Sequence, residues 1–230
     1  MTKEELKKQL LKLNVSFKIE DLETLLNDTL ETNKKFNLTA IKEPEKFREL
    51  MIYDSVLPIK LIDFDDKKVI DVGTGAGYPG LVLALITYGD FTLLDSTKKK
   101  IDHINEYVKA HNISNVKGIV TRAEEYAKNT QETYDIAIAR AVAPLNILLE
   151  LIMPMVKVGG YFIAMKGLKG KEEIEESKRA LKEMGGEVEI IDAITLPESN
   201  EDRMNILIKK VKPSNKKYPR EYKQILCKPL

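Results

Sequence analysis

Between Lys67 and Lys166, five short apolar runs, "KVIDV", "FTLLD", "VKGIV", "YDIAIA" and "YFIAMK", alternate with stretches of helical character. That alternation constrains the fold more than any other feature. Strands of consecutive apolar residues are buried on both faces, and parallel strands joined by crossover helices bury them that way. "PGLVLALI", "TKKKIDHINEYVKAH", "RAEEYA" and "LNILLELIMPMV" supply the crossovers, and "KEEIEESKRALKEM" reads as one exposed amphipathic helix after the fifth strand. "EVEIIDAITL" and "RMNILIKKV" read as two further strands in a hairpin-like pair. The expected fold class is α/β, a doubly wound sheet of about seven strands, counting these runs.

Ahead of the sheet the pattern is helical. Thr2 and Glu5 fit a capping box, followed by Leu6, Leu10 and Leu13 at helical spacing. A second helix is expected from about Glu20 to Lys35, and a third begins at Pro44 with Phe47, Leu50 and Met51. The chain therefore divides into a helical extension (1–62), a sheet domain (63–211) and a basic tail (212–230). "KPSNKKYPR" reads as tail or loop.

Composition narrows the function. The longest apolar run, Leu81 to Ile86, is too short to span a bilayer, and "MTKEELKKQLLKL" lacks the apolar region of a signal peptide. One cysteine, Cys227, allows no internal disulfide and fits a reducing, cytoplasmic setting. Cys227 with His103 and His111 makes no zinc ligand set, so no metal is expected. Both histidines are expected as exposed helical residues. From Lys209 to Leu230 eight cations face one acid, Glu221, and a basic end on an otherwise acidic body fits either a polyanion contact or a solvated terminus.

The first strand runs into "DVGTGAGYPG", residues 71 to 80. In such a sheet, ligands bind beyond the carboxyl ends of the strands. Gly73 and Gly75 let a ligand approach the backbone, and Pro79 suits the first turn of the next helix, whose free amides would face the same crevice. Two ligands compete. "GAGYPG" is formally a dinucleotide fingerprint, which keeps a nicotinamide-dependent dehydrogenase open. The order Asp71, Gly73, Gly75, Gly77 better resembles the first motif of S-adenosylmethionine-dependent methyltransferases. Asp95, which ends the second strand, can accept both ribose hydroxyls of either ligand, or can cap the helix after it.

"NLTAI", "YDS", "DVGTGAGYPG", "LLDS", "RAE", "RAVAPL", "MKG" and "KKYPR" occur in an order that resembles the guanine-N7 methyltransferases of small-subunit ribosomal RNA, once called glucose-inhibited division protein B. The likeness runs from Asn37 to Arg220. It implies a Rossmann-like methyltransferase with S-adenosyl-L-methionine as methyl donor, and a guanine in the decoding-region loop of 16S rRNA, free or in the small ribosomal subunit, as acceptor. By position, Gly73 and Tyr78 match the family's contacts in the glycine loop, Ala123 and Glu124 the pair that frames the adenine, and Arg140 a cofactor-side arginine. Met51 stands where the family commonly has histidine, and "EYKQILCKPL" departs from the family's ending. The chain is expected to act as a monomer, away from membranes.

Guanine N7 offers a lone pair and carries no proton, so its methylation needs positioning and no general base. An arginine paired to both O6 and N7 would occupy the attacking lone pair and oppose the charge arriving on the base. Basic groups should therefore hold phosphates, or O6 alone. The candidates are Lys166, Arg203, Lys217 and Arg220. Tyr78, Tyr218 and Tyr53 could stack on cofactor or base, the last two more readily as packing residues, and Asn37 and Thr39 could shape the substrate side or merely stop a helix. Carbon-5 pyrimidine methylation would need a core cysteine, which Cys227 is not. A small-molecule methyltransferase, and a non-catalytic RNA-binding or ribosome-assembly protein on the same fold, remain as alternatives.

Overall fold

β1 (Lys68–Val72) lies third from one edge of a seven-stranded sheet with order β3-β2-β1-β4-β5-β7-β6, in a computed structural model that describes residues 1–230. The other strands are β2 (Asp90–Asp95), β3 (Val116–Val120), β4 (Tyr134–Arg140), β5 (Val156–Lys166), β6 (Gly186–Thr195) and β7 (Asp202–Lys210). β1 to β5 are parallel, and β7 inserts antiparallel between β5 and β6. The strand order reverses at β1, between β2 and β4, so the crevice of such a sheet falls at the carboxyl end of β1.

The helices are α1 (Lys3–Lys12), α2 (Ile19–Asn33), α3 (Pro44–Phe47), α4 (Asp54–Val56), α5 (Gly80–Ile86), α6 (Lys98–Ala110), α7 (Ala123–Asn129), α8 (Leu145–Ile152), α9 (Gly170–Glu176), α10 (Lys178–Met184) and α11 (Tyr222–Cys227). A π-helical turn, Arg48–Tyr53, joins α3 to α4. Thr2 caps α1, its hydroxyl accepting from the Glu5 amide at 3.2 Å, but the Glu5 carboxylate accepts from Gln9, so the expected capping box is only half formed.

Two cores sandwich the sheet. One holds the extension (Leu6, Leu22, Leu26, Phe47, Ile52) with α5, α6 and the sheet residues Val69, Ile138, Ile163 and Leu207. The other holds α8, α10 and α11 with Ile70, Ala139, Ala164 and Ile206. Residues 1–62 thus share the sheet's own core. The two-residue period of a strand then sorts the ends of the strands. Arg140 leaves β4 in step with Ile138, and Arg203 enters β7 in step with Leu207, so both face the extension. Lys166 leaves β5 in step with Ala164 and faces α9.

Several expectations need correcting. "LNILLELIMPMV" is helical only to Ile152, because Pro154 follows in a 3-10 turn and β5 already begins at Val156. "KEEIEESKRALKEM" is two helices, interrupted at Ser177. Residues 212–230 are no free tail: Tyr218, Ile225 and Leu230 are buried, and Glu221 and Gln224 form a capping box that starts α11. The basic end is also less basic at the surface than its count implies. Lys210 is wholly buried, and its ammonium donates to the Met153 and Val156 carbonyls at 2.9 and 2.7 Å. His103, expected exposed, is buried where α6 meets α2, its Nδ1 3.7 Å from Asp28, and burial lowers its pKa. His111 is exposed, as expected.

Candidate active site

The glycine loop is organised by a carboxylate that points inward. Asp71 is buried, and its Oδ2 accepts from the Thr74 hydroxyl at 2.7 Å and the Gly80 amide at 2.9 Å. A Cβ at Gly80 would stand 2.9 Å from that oxygen and 2.1 Å from Leu93 Cδ2, so only glycine lets the loop close on Asp71. The Gly80 amide is therefore not among those facing the crevice, contrary to expectation. Burial pushes the Asp71 carboxyl up to about 6, and its Oδ1 has no partner.

Gly75 serves the opposite side of the loop. Its φ of +62° favours glycine, while a Cβ there would meet nothing within 4 Å. Its amide donates to Asp95 Oδ2 at 3.1 Å, and Asp95 Oδ1 accepts from the Thr97 amide at 2.8 Å. Asp95 thus fastens the loop and the approach to α6, yet each oxygen keeps a lone pair for a hydroxyl, which fits a ribose. Lys100 Nζ stands 3.6 Å away.

Past β3, Ala123 opens α7, so its amide has no intrahelical acceptor. Glu124 is buried and receives Arg122 Nε at 2.8 Å, and the Arg122 guanidinium lies 5.1 Å from the ring centre of Tyr222. Gly73, Asp95, Ala123, Glu124 and Tyr222 line one cavity of about 340 Å³. Tyr222, from the segment where the family pattern runs out, could not be found from sequence. Tyr78 is turned away: its hydroxyl lies 3.0 Å from Thr29 Oγ1 in α2, and its ring packs edge-on against Phe47. It lines neither this cavity nor the second one, and its amide donates to the Thr74 carbonyl at 3.0 Å within the loop.

A second cavity, about 690 Å³, lies on the far side of Ala141 and Val142, which line both. Arg140, Lys166, Arg203, Met51 and Asp54 line it. The π-helical turn carries Met51 to this wall while burying Ile52 and Tyr53. Asp54, quoted in "YDS" but given no role, takes Arg140 Nη1 at 3.1 Å and Arg203 Nε at 3.3 Å on one oxygen. Lys166 donates to the Ala143 carbonyl at 2.6 Å and pairs with Glu173 at 2.8 Å.

The structure therefore brings Lys166, Arg203 and Arg140 together and leaves Lys217 and Arg220 outside both cavities. Arg140, expected beside the cofactor, lines the second cavity and not the first. Lys217 is exposed over the Tyr218 ring at 4.9 Å, and Arg220 is fastened to Glu150. Tyr218 and Tyr53 are buried packing residues. Asn37 and Thr39 line a separate groove with Lys42 and Lys100. No group of three His, Cys, Asp or Glu side chains could hold a metal ion.

A seven-stranded sheet with an antiparallel β7 between β5 and β6, an acidic residue ending β2, a glycine turn after β1 and a nucleoside-sized cavity between them is the arrangement of the Rossmann-like S-adenosylmethionine-dependent methyltransferases. Solved structures agree on the fold: a TYW2 protein of M. jannaschii in complex with AdoMet has a TM-score of 0.56 at 15% identity, covering 68% of this chain and 76% of its own. An rRNA methylase of Streptococcus thermophilus gives 0.51 at 18%, covering 70% and 95%. The model of the family described as rRNA small subunit methyltransferase G matches residues 18–202, and the chain belongs to that family. Its relatives include the ribosomal RNA small subunit methyltransferase G of Thermoanaerobacter sp. (strain X514), 43% identical over 93% of this chain and 91% of that protein. The protein of the same name from Fusobacterium nucleatum is 40% identical over 99% and 100%. Membership overturns the dehydrogenase reading of "GAGYPG".

Proposed function

We propose that this methyltransferase moves the methyl group of S-adenosylmethionine to N7 of a guanine in the decoding-region loop of 16S rRNA. The observation that carries the reading is the pair of cavities meeting at Ala141 and Val142. The first fits a nucleoside: Asp95 offers acceptors to the ribose hydroxyls, Ala123 and Glu124 border the base, Gly73 admits the donor at the backbone, and Gly75, outside the cavity lining, holds Asp95 in place. The second fits an acceptor base. It holds no histidine or cysteine, and each of its cations is paired to a carboxylate. Its carboxylates are engaged by those cations, and guanine N7 has no proton for a general base to take.

When bound, the donor supplies an electrophilic methyl on sulfur. The chain's residues bind, orient and exclude water. Lys166 and Arg203 hold phosphate or O6 and leave N7 open, while Met51 and Leu50 give the base an apolar wall. Tyr78 acts from behind the cavities, by fixing the loop to α2. The reading places the chain in the cytoplasm, acting as a monomer, and no helix is long and apolar enough to cross a membrane.

Mass mapping of 16S rRNA and of assembled small subunits, incubated with chain and S-adenosylmethionine, tests it. A gain of one methyl on a single guanine, with the cleavage lability of an N7-alkylated base, is expected. Methylation elsewhere, or RNA binding without transfer, would overturn the proposal.

A further inference from the structure

Asp54 joins the two arginines of the acceptor wall from the N-terminal extension. Its carboxylate is 1% exposed; Oδ2 receives Arg140 Nη1 at 3.1 Å and Arg203 Nε at 3.3 Å, and Oδ1 makes no hydrogen bond. Arg140 is held further by the Leu50 carbonyl at 3.2 Å, and Arg203 by Glu201 at 2.8 Å. Buried polar atoms left unpartnered are rare and need a reason. Around the cavity, Arg140, Lys166 and Arg203 face Asp54, Glu173 and Glu201, three cations against three carboxylates.

That balance bears on the chemistry. As the N7 lone pair forms the new C–N bond, the C–S bond breaks and its electron pair goes to sulfur. The sulfonium charge is discharged and the purine becomes a cation, with no proton moved. A wall with excess positive charge opposes that transfer of charge onto the base, and low-dielectric surroundings strengthen the opposition.

We propose that Asp54 is a positioning residue that acts through Arg140 and Arg203, holding both guanidiniums beside the acceptor while cancelling the charge that would resist methylation. The proposal rests on the N7 reading above. Of the three carboxylates on this wall, Asp54 is the most buried and Glu201, at 50% side-chain exposure, the most screened by water. Removing the Asp54 charge leaves a net cation facing the base, and that cation also attracts RNA phosphates. Transfer and RNA affinity should then move in opposite directions, which loss of a mere structural clamp would not produce.

The test uses the full chain with its RNA substrate and S-adenosylmethionine. D54N keeps the shape and removes the charge. Its kcat is expected to fall by about 10- to 100-fold, with S-adenosylmethionine affinity unchanged and RNA Kd unchanged or lower. D54N/R203Q, which removes one cation again, should transfer faster than D54N even if it binds RNA more weakly. E173Q, at a residue that is partly exposed, creates the same imbalance without touching the buried carboxylate and carries the test if D54N does not fold. It should lower kcat and spare RNA affinity. A kcat within twofold of the parent in these variants, RNA affinity falling in step with kcat, or D54N/R203Q slower than D54N would overturn the proposal. A parent chain that methylates no guanine N7 would instead overturn the reading beneath it.

Discussion

Glu150, wholly buried in α8, accepts three hydrogen bonds from Arg220: the backbone amide at 3.0 Å, Nε at 2.7 Å and Nη2 at 2.6 Å. The pair fastens residues 212–230 to the sheet domain and sets α11, with Tyr222, at the mouth of the nucleoside cavity. An arginine expected to grip RNA phosphate is instead the partner of a charge that could not otherwise be buried. Breaking such a pair from one side leaves an uncompensated carboxylate. Arg220→Ala is expected to cost about 3–5 kcal/mol of stability in urea titrations at pH 7, and to weaken S-adenosylmethionine binding through α11. A loss under 1 kcal/mol, with a shallower salt dependence of RNA binding, would return Arg220 to the RNA.

Asp95 works on the loop and the ligand at once. Its two oxygens hold the Gly75 and Thr97 amides. Asp95→Ala removes both those anchors and the ribose acceptors. Calorimetry should show S-adenosylmethionine affinity lower by about 10- to 100-fold, as expected for charge-assisted hydrogen bonds. Gly75→Ala meets no neighbour but must hold φ at +62°, so it should cost about 1–2 kcal/mol of stability through the backbone alone.

Asp71 makes stability depend on pH in an unusual direction for a carboxylate. Burial raises its folded pKa to about 6 from 3.8, with Arg140 opposing the rise and Asp95 adding to it. Between those values the folded chain binds the extra proton. The stabilisation is fully present below pH 3.8 and is lost as pH climbs through 6. Asp71→Asn is neutral throughout and can still accept from Thr74 and Gly80. Relative to the parent it should therefore gain stability between pH 4.5 and 7.5, on the order of 2 kcal/mol, since part of the full linkage is already lost at pH 4.5. Denaturation curves at both pH values check this, and a difference that does not change with pH would refute it.

Tyr78 offers a test of a family role carried over by position. Its hydroxyl serves Thr29, and its ring is buried against Phe47. Tyr78→Phe should lower stability by about 1 kcal/mol and leave S-adenosylmethionine affinity within twofold. A tenfold loss of affinity would mean that the side chain reaches the donor.

The site was legible where motif and strand end coincide. Gly73, Gly75, Asp95, Ala123 and Glu124 lie within a few residues of three strand ends, and the parallel sheet brings those ends side by side. Lys166 and Arg203 followed from the same logic at β5 and β7. Lys217 and Arg220 did not, because a charge count treats residues 212–230 as a solvated segment when burial of Tyr218 and Ile225 draws them onto α8. Asp54 and Tyr222 were missed because their importance comes from partners far along the chain: Arg203 is 149 residues from Asp54, and Arg122 meets Tyr222 only through the fold.

The amino-acid sequence alone determined the strand alternation, the switch from helical extension to sheet, and the glycine turn after β1, because these rest on spacing and backbone freedom within a few residues. Tertiary structure decided which charges face the crevice. Strand parity sends Arg140 and Arg203 to one face and Lys166 to the other, and only packing of the extension against the first face sets Asp54 between the arginines. An ion's role depends on its dielectric surroundings and its nearest partner, and both are properties of the assembled core.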